Sequence, residues 1–305
     1  MSEIKEEVIG KWPGIFASLG IEVGDGRHID SCPLCGGKKK FRMDDQDGQG
    51  TWICTCGAGD GWALLTKKLG IDFKEAIKTV KGIVGSVSPL PRQEEPKMTR
   101  EQFKEIIKGM KKITPSDPVG KYLRNRGLTK IPQFLWYHPA MWENETKQKQ
   151  KAMVGVFYDT HGSGLSMHRT YLTAAGDKMK IESPKKLMPC LGRLNGGAIR
   201  LWPAAETMGI AEGIETAIAA SEDCGCPVWA SYSANMMADF EPPPECKTLL
   251  IFADNDKNYT GQKSAYALAN RIIIQPKYDI NVHVYIPEIP GHDWLDVVAK
   301  NKLCH

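Results

Sequence analysis

The sequence lacks the features that would place the protein in a membrane or outside the cell. No apolar run approaches the length of about 18 residues that a membrane-spanning helix needs. The first residues, MSEIKEEVIG, are charged and do not resemble a secretory signal peptide. Basic residues exceed acidic ones by only 40 to 36, an excess that permits a nucleic-acid partner without requiring one. We therefore expect a soluble protein of the cytoplasm with no membrane partner.

A disulfide framework is a poor explanation for the nine cysteines, because the cytosol keeps thiols reduced. Four of them form two close pairs, Cys32 with Cys35 in CPLCGG and Cys54 with Cys56 in WICTCGAG. Four thiolates are the ligand set of a closed tetrahedral zinc site. We predict one structural zinc ion per chain on these four residues. The C-x-C spacing of the second pair is less common, which leaves His28 as an alternative ligand.

Two features near these motifs have weaker interpretations. Phe41 and Trp52, together with the basic residues Lys38 to Lys40 and Arg42, are expected to place aromatic rings and cations on a small sheet. This composition suits stacking on unpaired bases with contacts to phosphates. The alternative is that these aromatic residues form a minimal core around the metal. The polar run TKQKQK, residues 146–151, is expected to be a solvated loop.

Composition and periodicity divide the chain into four segments. A small zinc-binding domain spans residues 1–84, and a stretch rich in Pro, Ser and charge predicts a linker over residues 85–100. A basic subdomain follows over residues 101–205. Residues 206–305 alternate apolar strands with helices, which predicts a mainly parallel sheet with helices on both faces. The fold class is α/β, with a small β-rich zinc ribbon preceding the parallel sheet.

Acidic residues follow two of the predicted parallel strands. Glu212 comes directly after TMGIA, Asp254 ends TLLIFAD, and Asp256 follows two residues later. The carboxyl ends of parallel strands meet at one edge of a sheet, so these carboxylates are expected to converge. Carboxylates that repel one another are stabilised by a hard divalent cation, and Mg²⁺ prefers such oxygens. Asp293 is a weaker candidate, because an aspartate before a helix is also a good N-cap.

At this point the motifs resemble those of known proteins. The segment from CPLCGG through FRMDDQDGQGTWICTCGAGDG resembles the zinc-binding domain of phage primase-helicases and satellite-phage primases. The segments AEGIETA, PVWASYSANM, IFADNDKNYTGQKSA and GHDWLDVV resemble the Toprim fold shared by DnaG-type primases, topoisomerases and some nucleases. The block between them, from VGKYLRNRGL through PKKLM, is similar to the region before Toprim in phage- and plasmid-type primases.

The resemblance implies a DNA primase that makes short RNA primers on single-stranded DNA from ribonucleoside triphosphates, with magnesium as cofactor. Glu212 matches the Toprim glutamate, a general acid/base or metal ligand. Asp254 and Asp256 match the D-x-D pair, and Asp293 matches the later acid. The basic residues implied to bind template and nucleotide are Arg169, Lys185 and Lys186, with Arg193 and Arg200 as further candidates for the groove. The sequence has no G-x-x-x-x-G-K-[ST] phosphate loop, so a helicase partner would be a separate protein.

Three alternatives use the same motifs. A Toprim nuclease needs the same acids for hydrolysis. A topoisomerase needs in addition a tyrosine nucleophile in a large second domain, which the chain does not offer. A non-catalytic single-strand-binding module does not need carboxylates that repel phosphates. The zinc-binding domain favours the primase, because reading an unpaired start site suits a tethered nucleic-acid reader.

Overall fold

The computed structural model describes residues 2–24, 28–89, 98–192 and 194–303. The chain forms two compact units, Met1–Glu95 and Pro96–His305. Residues 90–97 of the predicted linker lie outside the described ranges. Within those ranges no helix is long and apolar enough to cross a membrane.

The N-terminal unit consists of a small antiparallel sheet and short helices. Its elements in chain order are α1 (Ser2–Glu7), α2 (Trp12–Ser18), β1 (Ile29–Ser31), β2 (Lys38–Met43), β3 (Trp52–Cys54), β4 (Gly57–Gly59), α3 (Gly61–Leu69) and α4 (Phe73–Lys81). The sheet has the order β1-β2-β3-β4. Helices α3 and α4 begin where Asp60 and Asp72 accept backbone hydrogen bonds as N-caps.

Aromatic residues fill the core of this unit. Phe41 and Trp52 are buried and stacked, with 5.8 Å between ring centroids. They are therefore core residues, and their rings are not free to stack on unpaired bases. Trp12 packs so closely on Gly61 that a Cβ at this glycine would lie 2.1 Å from the indole. Only glycine fits at the start of α3.

The first half of the C-terminal unit is an antiparallel meander. Its elements are α5 (Arg100–Gly109), β5 (Lys111–Lys112), α6 (Pro118–Asn125), β6 (Leu135–Glu143), β7 (Gln148–Tyr158), β8 (Gly164–Leu172), β9 (Lys185–Leu187) and β10 (Ala198–Ile199). Strands β5 to β9 pair in sequence order. The loop prediction for TKQKQK was wrong for residues 148–151, which form the start of β7. Pairing with β6 orders this polar segment, and composition does not reveal such pairing.

The second half alternates strands and helices as the sequence predicted. Its elements are β11 (Thr207–Ala211), α7 (Ile214–Cys224), β12 (Val228–Ala230), α8 (Ala234–Asp239), β13 (Thr248–Phe252), α9 (Thr260–Ile274), β14 (Asn281–Tyr285) and α10 (Trp294–Leu303). The four strands are parallel in the order β14-β13-β11-β12. The short strand β10 joins β12 to β7, so both halves share one ten-stranded sheet.

Two hydrophobic cores cover the two faces of the parallel strands. Helices α7 and α10 pack on one face, and α8 and α9 pack on the other. Neighbouring strands β11 and β13 therefore lead into helices on opposite faces. In open α/β sheets this arrangement creates a crevice beyond the carboxyl ends of the strands.

Candidate active site and zinc centre

The four predicted zinc ligands lie together in the N-terminal unit. Their sulfur atoms all lie within 4.8 Å of one another, with Cys32 to Cys56 at 3.8 Å and Cys35 to Cys54 at 3.9 Å. A tetrahedron with zinc–sulfur bonds of about 2.3 Å has sulfur–sulfur edges of about 3.8 Å. The geometry thus fits zinc on four cysteines. Among the described residues, the group that could hold a metal ion does not include the exposed His28.

The crevice after β11 and β13 contains three of the four predicted acids. Glu212, Asp254 and Asp293 line a cavity of about 430 Å³. Lys185 and His168 line the same cavity. Residues from five separate segments of the chain thus meet at the point where the sheet topology predicts a ligand site.

The surroundings of the carboxylates in the crevice disfavour their charged form. Burial, followed by the charge of Glu212, raises the pKa of Asp254 to about 7. Burial and the charge of Asp256 raise the pKa of Glu212 to about 6. The buried Oδ1 atom of Asp254 has no hydrogen-bond partner within the described part of the chain. An oxygen donor set with an unsatisfied buried oxygen and mutual repulsion fits a divalent cation.

The other two aspartates also serve as helix caps. Asp256 Oδ2 accepts a hydrogen bond of 2.9 Å from the backbone N–H of Gly261 at the start of α9. Asp293 Oδ1 accepts from the N–H of Asp296, and Asp296 Oδ2 accepts in return from the N–H of Asp293. The cap alternative considered for Asp293 therefore describes a real contact. Its carboxylate both caps α10 and lines the crevice.

Lys185 is held at the crevice by buried side chains, and these contacts could not be predicted from the sequence. Its Nζ lies 2.9 Å from Oε1 of Glu215, which also accepts a 2.5 Å hydrogen bond from the Tyr122 hydroxyl. Lys178 Nζ lies 3.7 Å from the same oxygen. Burial alone would raise the pKa of Glu215, but Lys185 and Tyr122 lower it to about 2. Glu215 is therefore a buried anion that pairs with two ammonium groups, of which that of Lys185 lines the crevice.

Arg169 and Lys186 lie on the opposite face of the sheet from Lys185. They are cross-strand partners on β8 and β9, one residue out of step with the crevice-facing positions. Arg169 Nη1 donates to the carbonyl oxygen of Trp142 at 3.4 Å. Lys186 Nζ lies 2.6 Å from Oε1 of the fully buried Glu143. The structure thus separates these two residues from the acidic crevice.

The two remaining basic candidates are not among the residues that line the crevice. Arg200 Nη2 donates to the carbonyl oxygen of Asp159 at 2.7 Å, and its guanidinium lies 4.9 Å from the ring centroid of Trp229. Arg193 lies outside the described residues.

Further crevice residues carried no functional signal in the sequence. His168 lines the crevice, and burial lowers its pKa to about 4, so it is neutral at pH 7. Arg126 lines the same cavity. In the sequence His168 lies within the strand-like run GLSMHRTYL, which does not indicate that its side chain reaches the crevice.

Comparisons with known domain families cover most of the chain. Residues 26–62 match the zinc-binding domain of primase-helicase, and residues 207–301 match the Toprim domain. Residues 97–201, between them, match a domain of unknown function (DUF7146). The resemblance inferred from the motifs is confirmed: the chain carries a zinc-binding domain of the primase-helicase type and a Toprim domain. The predicted fold class is confirmed as well.

Two solved primase structures match the chain at low sequence identity and with TM-scores below 0.5. The primase fragment of the bacteriophage T7 primase-helicase protein is 13% identical, with a TM-score of 0.41, over 90% of this chain and 95% of that one. The Aquifex aeolicus primase, with its zinc-binding and RNA polymerase domains, is 14% identical, with a TM-score of 0.38, over 99% and 83%.

Proposed function

We propose that the protein is a DNA primase that synthesises short RNA primers on single-stranded DNA from ribonucleoside triphosphates. The observation that carries this proposal is the composition of the crevice in the Toprim domain. Glu212 and Asp254 lie there with an unsatisfied buried oxygen, and Lys185 is held beside them by Glu215. Anionic and cationic groups in one crevice match a reaction between metal-bound phosphates and a hydroxyl group.

The residues divide into two roles under this proposal. Glu212, Asp254 and Asp256 would hold magnesium, with Asp293 at the edge of the set. Magnesium bound there would orient the attacking 3′-hydroxyl and stabilise the charge on the leaving pyrophosphate. Lys185 donates to the phosphate oxygens of the incoming nucleotide, since an ammonium group is a point donor for phosphate. Neutral His168 can donate or accept a hydrogen bond in the same cavity.

The zinc-binding domain supports the choice of primase over nuclease. Under the proposal residues 1–84 form a zinc-binding reader of the template start site, tethered by residues 85–100. Residues 101–205 form the basic subdomain and residues 206–305 the Toprim domain of the polymerase core. A separate replicative helicase is the expected partner.

A primer-synthesis assay tests the proposal. The full-length protein is incubated with single-stranded DNA, labelled ribonucleoside triphosphates and Mg²⁺, and the products are separated on a gel. We expect short oligoribonucleotides from the wild type. Asp254→Asn should lower the yield roughly 1,000-fold, because metal stabilisation of the transition state is worth several kcal/mol.

The control is Asp279→Asn, which removes an exposed carboxylate elsewhere in the same unit and should leave the yield unchanged. Wild-type protein that makes no oligoribonucleotide contradicts the primase. Magnesium-dependent degradation of the DNA in the same gel, abolished by Asp254→Asn, identifies the nuclease instead.

A further inference from the structure

Trp142 stands out because it is half exposed at the end of a well-paired strand. Its side chain lies near the tip of the β6–β7 hairpin and is 50% exposed. Within the ranges that the structure describes, its ring has no aromatic or cation–π partner. A large aromatic surface is thus presented to solvent.

The backbone under Trp142 is anchored by buried polar side chains. Its carbonyl oxygen accepts hydrogen bonds from the Tyr171 hydroxyl and from Arg169. The next residue, Glu143, is fully buried, pairs with Lys186 and accepts a 2.6 Å hydrogen bond from the N–H of Thr146. These contacts hold the backbone of the hairpin end beneath the indole.

Cations flank the exposed indole. Lys149 is the direct cross-strand partner of Trp142, and Lys151 follows on the same face of β7. Neither lysine forms an ion pair with another described residue. Of the nearby acids, Glu143 is neutralised by Lys186, and the Glu145 carboxylate accepts from the backbone N–H of Glu182. The indole is therefore flanked by two unpaired positive charges.

This surface lies on the same face of the sheet as the acidic crevice. Side chains alternate along a strand, so Lys149, Lys151 and Met153 share one face of β7. Thr170 pairs with Met153, and Lys185 pairs with Thr170, which carries the same face to the crevice. Lys149 is about 13 Å from Met153 along the strand, and Lys185 lies two strand spacings further, about 10 Å across. Met153, which lies between them, is fully buried and packs in the same core as helix α6.

We propose that Trp142 stacks on a base of a single-stranded nucleic acid whose phosphates contact Lys149 and Lys151. An exposed aromatic ring beside unpaired cations is the arrangement that binds unpaired bases without sequence preference. Arg169 and Lys186 then act indirectly, by fixing the hairpin that carries the indole. The identification of this strand as the primer template rests on the proposed function, whereas the binding itself does not.

Fluorescence anisotropy with a labelled single-stranded oligodeoxynucleotide tests the proposal in the full-length protein. Trp142→Ala should weaken binding roughly 5- to 150-fold, the range for loss of one stacked base. Trp142→Phe should recover most of the affinity. The matched control is Tyr266→Ala, which removes another exposed aromatic ring, 57% exposed on α9, and should leave binding unchanged.

The salt dependence separates stacking from charge. Replacing Lys149 and Lys151 together by Gln should reduce the slope of log Kd against log salt by about 1.4, or about 0.7 for each lost phosphate contact. Trp142→Ala should leave that slope unchanged. The charge-matched control replaces Lys104 and Lys247, both exposed, and should leave the slope as in the wild type.

Wild-type affinity in Trp142→Ala overturns the proposal, and so does duplex DNA that competes as well as the single strand. Asp254→Asn should bind the oligonucleotide normally. If the wild type binds through Trp142 but makes no primers, the proposed function fails and this inference stands. If primers are made and Trp142→Ala binds normally, the inference fails and the proposed function stands.

Discussion

The two candidate metal sites of this chain are constructed in opposite ways. In the N-terminal unit, four sulfur atoms lie at tetrahedral spacing on short strands and turns beside a core rich in aromatic residues. In the C-terminal unit, the carboxylates lie beyond the carboxyl ends of parallel strands in a ten-stranded sheet. Helices cover both faces of these parallel strands. The zinc ligands lie within one short stretch of chain, whereas the acids come from strands far apart in sequence.

The difference indicates which site depends on its metal for structure. A short, glycine-rich segment gains its order from zinc, because binding energy and folding energy are then the same quantity. We expect the large sheet to fold without a cation. It buries Glu212 and Asp254 close to other carboxylates, and burial together with those charges raises the pKa values of both groups. We expect the first metal to stabilise its domain, and a cation bound at the second site to relieve the repulsion among the carboxylates.

Removal of zinc should have the largest effect and should affect only one unit. Zinc contributes about 10–16 kcal/mol to the folding of small zinc domains at neutral pH. Cys54→Ser should therefore abolish protection from hydrogen exchange in strands β1 to β4, while β11 to β14 stay protected. Cys224→Ser, outside the quartet, is the control. If β1 to β4 stay protected in protein that metal analysis shows to lack zinc, the N-terminal unit does not depend on zinc for its structure.

The same contrast explains which features could be predicted from the sequence. The cysteine pairs and the acids after strands were identifiable because their partners are local or follow from strand topology. Lys185 and Lys186 could not be separated in this way, since one step along β9 reverses the face of the sheet. The sequence does not predict which of the two lysines faces the crevice, because β9 is a three-residue strand within a segment that lacks periodicity.

Glu215 is the clearest example of a residue whose contacts could not be predicted from the sequence. It lies within the motif AEGIETA, but its partners Tyr122 and Lys185 are 93 and 30 residues away. Sequence periodicity places Glu215 in the first turn of α7 and says nothing about what it contacts. Packing of helices α6 and α7 beside strand β9 brings the three residues together, and only the folded chain shows this.

Glu215→Gln should have the second largest effect, and only on the C-terminal unit. Loss of the buried charge leaves Lys185 and Lys178 without their anion, which should lower the free energy of unfolding by about 2–3 kcal/mol, less than for fully buried pairs because both lysines are partly exposed. Tyr122→Phe, which removes one hydrogen bond to the same carboxylate, should lower it by about 1–2 kcal/mol. Urea unfolding followed in each unit measures both changes.

The free energy that the charge of Glu215 contributes to folding should depend on pH. The pKa of Glu215 is lowered to about 2 in the folded protein, from an ordinary value of 4.5. Its stabilisation is therefore fully present above pH 4.5 and is lost as the pH falls towards 2. The difference between wild type and Glu215→Gln should shrink across that window. A difference that persists unchanged at the acid end would show that the effect comes from packing and not from charge.

Asp254→Asn should have the smallest effect, and in the opposite direction. The pKa of Asp254 is raised from 3.8 to about 7, so its charge costs stability that grows as the pH rises between those values. In chelator at pH 8 the variant should be more stable than the wild type by about 1–2 kcal/mol, and the gain should vanish near pH 4. Added Mg²⁺ should stabilise the wild type by mass action and the variant much less. A variant less stable than the wild type at pH 8 without metal would mean that the fold does not strain this crevice, and the two metal sites would then not differ in the way described.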